Sequence, residues 1–184
     1  HYLMGTVLRE RGLYNKAIVS FEHAIKLAPR FGQAFSGLAI TLNMQDKHGA
    51  ALLLHRKAVD LSPKDARLQN NLGFGLSLLS RYSEAVKSYE AALALDPNMR
   101  SAYVNLGFSL GLMGKTEAAR TAFLQVLRGA EVLNNLALIK ELRGDQQGAI
   151  NLYKEALATQ PGLAMARENL DAVESEIHDI KEYK

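Results

Sequence analysis

The sequence predicts an all-α protein in which antiparallel helix pairs recur along the chain. Three observations predict it. Pro29, Pro63 and Pro97 recur at a spacing of thirty-four residues. In the same register a small residue falls at Ala17, Ala51, Ala85 and Ala119, and a ring follows at Phe21, His55, Tyr89 and Phe123. A second small or short apolar residue completes each set at Ala24, Ala58, Ala92 and Val126. The spacing of Ala85, Tyr89 and Ala92 is that of one face of an α-helix, with small residues for close approach and a ring to fill the gap. Each proline closes its unit because it cannot continue a helix and biases the preceding residue away from helical geometry.

Within each unit a turn residue divides two helices: Gly12, Asp46, Ser80, Gly114 and Gly144 are common C-cap or turn formers. The helix pairs are therefore expected at about 1–11 with 14–27, 31–44 with 47–60, 65–78 with 82–94, 99–112 with 115–128, and 131–142 with 145–158. The array spans 1–162, in units of about 1–30, 31–64, 65–98, 99–129 and 130–162. The fifth unit continues the series as Ala149, Tyr153, Ala156 and Pro161, but at an offset of thirty residues. Arg128-Gly129-Ala130-Glu131 there replaces a connection four residues longer. A tight junction and a loop absent from this sequence are both open readings. The second unit departs elsewhere, with Ala39 in a glycine slot and His55 in the ring slot. After Pro161, residues 163–184 are expected to form a capping helix, with an apolar stripe at Ala166, Leu170, Val173, Ile177 and Ile180. Arg167, Glu168, Asp171, Glu174 and Asp179 lie off that stripe. A repeat array needs such a polar-faced end, although the same heptad stripe could pair two protomers.

Composition narrows the chemistry. Of 184 residues 48% are hydrophobic and 22% charged, which supports a core and argues against disorder. There is no cysteine, so thiolate catalysis and disulfide frameworks are excluded, and cytoplasm and periplasm fit equally. Net charge is +3, with −3 in residues 163–184 and +6 over the rest. The excess is scattered over several helices, which argues against nucleic acid. No apolar run reaches the roughly 18–20 residues that span a bilayer, so no membrane insertion is expected. His1 falls inside a helical pattern; the chain is expected to begin mid-protein, with any signal peptide or anchor upstream. Gly73-Phe74-Gly75 lacks the third glycine and the strand of a dinucleotide loop. No metal or cofactor set and no catalytic constellation emerges, so the chain reads as a non-enzyme.

Met4-Gly5, Leu72-Gly73 and Leu106-Gly107, the Ala/ring/Ala series and the closing prolines resemble the tetratricopeptide repeat family over nearly the whole chain. The resemblance implies a right-handed superhelical solenoid whose first helices line a concave groove. It also implies a protein-interaction scaffold that holds a partner peptide or helix there. Some members that hold extended peptides use asparagines two residues before the glycine slot. The matching positions here are Asn71, Asn105 and Asn135, while Leu3 and Gly37 break the series in the first two units. A carboxamide has an acceptor and two donors, so it can pair with any peptide backbone. Asparagine costs up to about 0.7 kcal/mol against alanine in a helix, which implies a reason for its recurrence. That reason is peptide contact on one reading, and bonding to a neighbouring repeat's backbone, which stiffens the stack, on the other. Asn70, Asn134 and Arg67 are further groove candidates. Arg67 is the one basic residue in the slots where chaperone-binding members clamp a carboxylate, so that role is not expected.

One position past the glycine slot come Ile40, Phe74, Phe108 and Leu138. By the resemblance they point into the groove and receive apolar side chains; otherwise they finish the core between helices. His55, in the ring slot, reads as a packed core histidine. Two alternatives to a peptide-binding scaffold follow. One is self-assembly through the first repeat or the 163–182 stripe, within which a bacterial assembly role fits, since Leu133-Asn134-Asn135-Leu136-Ala137-Leu138 resembles repeats of pilus-assembly and secretion accessory proteins. A substrate-docking arm for an enzyme domain outside this chain is the other.

Overall fold

The helical faces read from the sequence close on one another in the computed structural model, which describes the backbone of residues 1–182 and side chains through Glu176. Among the described residues there are eleven helices and no strand. They are α1 (Tyr2–Glu10), α2 (Tyr14–Leu27), α3 (Gly32–Asn43), α4 (His48–Leu61), α5 (Ala66–Leu78) and α6 (Tyr82–Leu95), then α7 (Arg100–Leu112), α8 (Thr116–Leu124), α9 (Gly129–Leu142), α10 (Gln146–Thr159) and α11 (Ala164–Glu182). The chain forms two compact units, residues 1–105 and 106–184, with the boundary inside α7.

In the first unit α1 packs on α2, α3 on α4 and α5 on α6, while α1, α3 and α5 lie side by side. The small-ring-small faces carry the packing: Ala17, Ala51 and Ala85 are wholly buried, as are the rings of Phe21, His55 and Tyr89. The Leu-Gly pair has a steric reason. A Cβ at Gly73 would lie 2.6 Å from Cε1 of Tyr89, so the ring can press on the α5 backbone because no side chain stands there.

The turns between paired helices share one geometry. Gly12, Asp46, Ser80, Gly114 and Gly144 all take positive φ, from 56° at Ser80 to 83° at Gly114. The residue after each turn bonds back across it: Leu13 to Leu8, Lys47 to Leu42, Arg81 to Leu76, Lys115 to Leu110 and Asp145 to Lys140, each from N–H to C=O. This is the Schellman closure, in which a left-handed residue satisfies helix-end carbonyls. Asp46 and Ser80 adopt that backbone without being glycine, at a cost of order 1 kcal/mol each.

In the second unit α9 packs on α8 and α10, and α11 packs on α10 and α9. Ala137, Ala149, Tyr153, Ala156, Ala166, Leu170 and Val173 form one buried cluster. Arg167, Glu168, Asp171 and Glu174 of α11 are exposed. The side chains of Ile177, Asp179 and Ile180, which the sequence reading placed on or off the stripe, lie outside the described residues. One helix differs from expectation: α8 ends at Leu124 rather than near residue 128. The four residues missing from this repeat come out of the helix's last turn. Gln125 and Val126 make tighter i→i−3 bonds to Ala122 and Phe123, and Leu127 turns into the core. Arg128 is then extended, its N–H donating to Glu131 Oε2 at 3.1 Å, and α9 begins at Gly129.

Candidate partner-binding face

In the first unit the asparagine slots make a repeated bond. Asn71 Nδ2 on α5 donates to Ser36 Oγ on α3 at 2.9 Å. Asn105 Nδ2 donates to Asn70 Oδ1 on α5 at 3.1 Å. Both reach back thirty-five residues, to the position just before the slot in the preceding first helix. The second unit repeats the arrangement with a residue the sequence reading passed over. Asn169 Nδ2 on α11 donates to Asn134 Oδ1 on α9 at 3.2 Å. Asn134 is 2% exposed and donates in turn to Asn135 Oδ1 at 3.3 Å. Asn169-Leu170 repeats the Asn-Leu pair of 71–72, 105–106 and 135–136, which was the available signal. Asn71 and Asn105 each use one N–H for this stacking bond and, among the described residues, keep the second N–H and Oδ1 for another partner.

Two depressions adjoin these slots on the α3–α5 wall of the first unit and share Ile40. The smaller, about 110 Å³, is edged by Arg9, Gln33, Ser36, Arg67 and Asn71. Its charge is local: the exposed Arg67 guanidinium sits 3.6 Å from Asp65 Oδ1, and Gln33 Nε2 donates to Asp65 Oδ2 at 2.9 Å. Asp65 also caps α5 by accepting from the Arg67 N–H. The larger depression, about 270 Å³, is mainly apolar, with Met44, Phe74 and Leu78 around Ile40 and with Asn43 and His48 at its edge. Met44 is 52% and Phe74 44% exposed.

The second unit treats the same slots differently. Phe108 is half-buried and packs edge-on against Phe123, ring centroids 5.4 Å apart. Leu138 is half-buried on α9 beside Asn135.

Behind the apolar depression, His55 fills the ring slot of α4. Its Nε2 accepts from Asn43 Nδ2 at 3.2 Å, and its buried Nδ1 has no hydrogen-bond partner among the described residues. Burial holds its pKa down to about 4, so the ring is neutral. Asn43 Oδ1 in turn accepts from His48 Nδ1 at 3.2 Å. Among the described residues no group of three potential ligands could hold a metal ion, and no helix is long and apolar enough to cross a membrane.

Paired helices, a buried ring between small residues and an open wall of first helices define a helical-repeat scaffold. Sequence comparison names the kind. Profiles described as tetratricopeptide repeat match residues 2–66, 101–128 and 130–160, and one described as TPR repeat matches 78–114. The chain belongs to the tetratricopeptide repeat family, whose fold serves protein–protein interaction. No curated protein matches it in sequence. Among solved structures it is similar to PilW, a widely conserved type IV pilus biogenesis factor, with TM-score 0.75 and 21% identity, over 100% of this chain and 93% of that one. It is also similar to PilF of Pseudomonas aeruginosa, with TM-score 0.71 and 22% identity, over 97% and 89%. A third likeness is to YrrB, a TPR protein with an unusual peptide-binding site, with TM-score 0.67 and 19% identity, over 91% and 89%.

Proposed function

We propose that the chain holds a segment of a partner protein, extended or helical, on the first-helix faces of its repeats. In the first unit Ile40, Met44 and Phe74 receive apolar side chains, and the free amide groups of Asn71 and Asn105 pair with the backbone. Arg67 and Asn70 stand beside them. In the second unit Asn135, held by Asn134, and Leu138 offer the equivalent pair of groups, and Phe108 adds the part of its ring left open beside Phe123. The observation that carries this reading is the exposure of Phe74 and Met44 around an apolar depression of about 270 Å³. An apolar anchor of this kind contributes roughly 1.5–3 kcal/mol when buried by a ligand.

Selecting peptides from a displayed random library against the whole chain tests it. Selected peptides should lose at least tenfold in affinity on Phe74→Asp while circular dichroism and melting temperature stay near wild type. Unchanged affinity in the variant would exclude the depression as the docking site. A second reading, a scaffold within a bacterial pilus or secretion assembly, draws support from the likeness to PilW and PilF. In it the same faces take an assembly component.

A further inference from the structure

The second unit carries a cavity on a different face of α9. Its floor is the half-buried Leu152 of α10 with Leu136 and Ile139 of α9 buried beneath, and Arg120 of α8 stands at its edge with Lys140 of α9 and Arg143 just past that helix. The cavity measures about 320 Å³, within the roughly 300–1,000 Å³ of small-ligand sites.

Register shows why it is there. The position that closes the helix pair beside the turn is Leu8, Leu42, Leu76 and Leu110 in the first four repeats, and Lys140 in the fifth. Its partner across the turn changes too: Leu13, Lys47, Arg81 and Lys115 give way to Asp145. Lys140 Nζ swings out to Asp145 Oδ2 at 2.5 Å, so a leucine's branched wedge is missing where the cavity lies.

The edge has a surplus of cations. Asp145 is the carboxylate among the lining residues, and it also caps α10 by accepting from the Gly148 N–H at 2.9 Å. Glu117 lies 3.8 Å from Arg120. Arg143 has no ion pair among the described residues, and its guanidinium lies over the Gly114 turn, 3.4 Å from where a Cβ would stand. Cations at the end of α9 also complement its dipole. That explains neither Arg120 on α8 nor a lysine in an otherwise leucine slot.

We propose that this cavity binds a carboxylate bearing a short apolar chain. The chain lies on Leu136, Ile139 and Leu152. The carboxylate takes paired N–H bonds from Arg143, whose planar fork suits it, with Arg120 and Lys140 completing the positive edge. A free medium-chain fatty acid and the C-terminal residue of a peptide ending in leucine both present this chemistry.

Calorimetric titration of the whole chain distinguishes them, using octanoate, acetate, octylammonium, and a short acetylated peptide ending in leucine as free acid or amide. Octanoate, the free-acid peptide or both should bind. Acetate, octylammonium and the peptide amide should bind at least tenfold more weakly. Octanoate alone assigns the site to a free acid, and a bound peptide acid assigns it to a chain end. Lys140→Leu, which restores the leucine of the other repeats and so keeps the fold, should weaken binding at least tenfold, as should Arg143→Gln. Absence of binding by both carboxylates would overturn the proposal. So would octylammonium binding as well as octanoate, or wild-type affinity in both variants.

Discussion

Acidification should destabilise the first unit through one side chain, His55, and the size of the effect follows from its surroundings. The ring is 1% exposed, it accepts from Asn43, and burial lowers its pKa from 6.5 to about 4. In the unfolded chain it takes a proton near the ordinary value; in the folded chain it resists until about 4. Because the folded pKa is the lower one, this contribution to stability is complete above pH 6.5 and is lost as pH falls towards about 4. Each pH unit in that window costs about 1.4 kcal/mol, one proton's worth of linkage. The full window is therefore worth about 3 kcal/mol, and the part above pH 5 about 2 kcal/mol. Stopping at about pH 5 avoids most carboxylate titration, including the exposed Glu84 and Asp145, whose pKa values are lowered by hydrogen bonds from Arg81 and Lys140. The assay is urea unfolding followed by circular dichroism at about pH 7 and about pH 5, for wild type and His55→Phe. Phenylalanine is what Phe21 and Phe123 place in the same slot, so the variant keeps a packed ring and loses the titration. The stability difference between the two proteins should shift by about 2 kcal/mol between the two pH values. Parallel stability curves would refute the claim that a neutral, desolvated imidazole sits in this core.

Three further outcomes follow from packing and buried hydrogen bonds. Gly73→Ala gains about 1 kcal/mol of helix propensity but drives a Cβ to 2.6 Å from the Tyr89 ring. Overpacking of that kind costs about 1–3 kcal/mol, so thermal unfolding should show a net loss. Gly49→Ala in α4 meets nothing within 4 Å and should raise the melting temperature; losses in both variants would contradict the steric account. Asn169→Ala removes the donor to Asn134 Oδ1. Because Asn134 is 2% exposed, the stranded acceptor should cost about 1–3 kcal/mol, less alanine's propensity gain of up to about 0.7 kcal/mol. An unaltered urea midpoint would show that water replaces the bond freely.

What the sequence made legible is what every repeat must share. The buried alanines and rings, and the left-handed turns at Gly12, Asp46, Ser80, Gly114 and Gly144, follow from one packing solution stated five times, so the period reveals them. The end of α8 was not legible, because a four-residue deletion can shorten a helix or its connection equally well, and the turn bonds at Gln125 and Val126 decide which. The asparagine pairs were hidden for a geometric reason. They join positions thirty-five residues apart, one beyond the period, so comparison of equivalent slots sees two separate columns and not the bond between them.

Phe74 and Phe108 show where slot identity stops being informative. Both follow Leu-Gly, yet Phe74 is 44% exposed while Phe108 leans edge-on against Phe123. Beside Phe74 the ring of the pair is Tyr89, whose hydroxyl is tied to Ser77 Oγ at 3.1 Å. Phe123 has no hydroxyl to tie and offers Phe108 an apolar face. The same contrast governs Lys140. A leucine repeated four times describes how the helix pair closes. The lysine that replaces it once cannot serve that closure, so its meaning lies in what stands around it: Asp145 across the turn, Arg143 and Arg120 beside it, and the cavity lined by Leu136, Ile139 and Leu152. In a repeat protein the shared slots therefore carry the fold, and a slot that breaks its own column is the first place to look for a ligand.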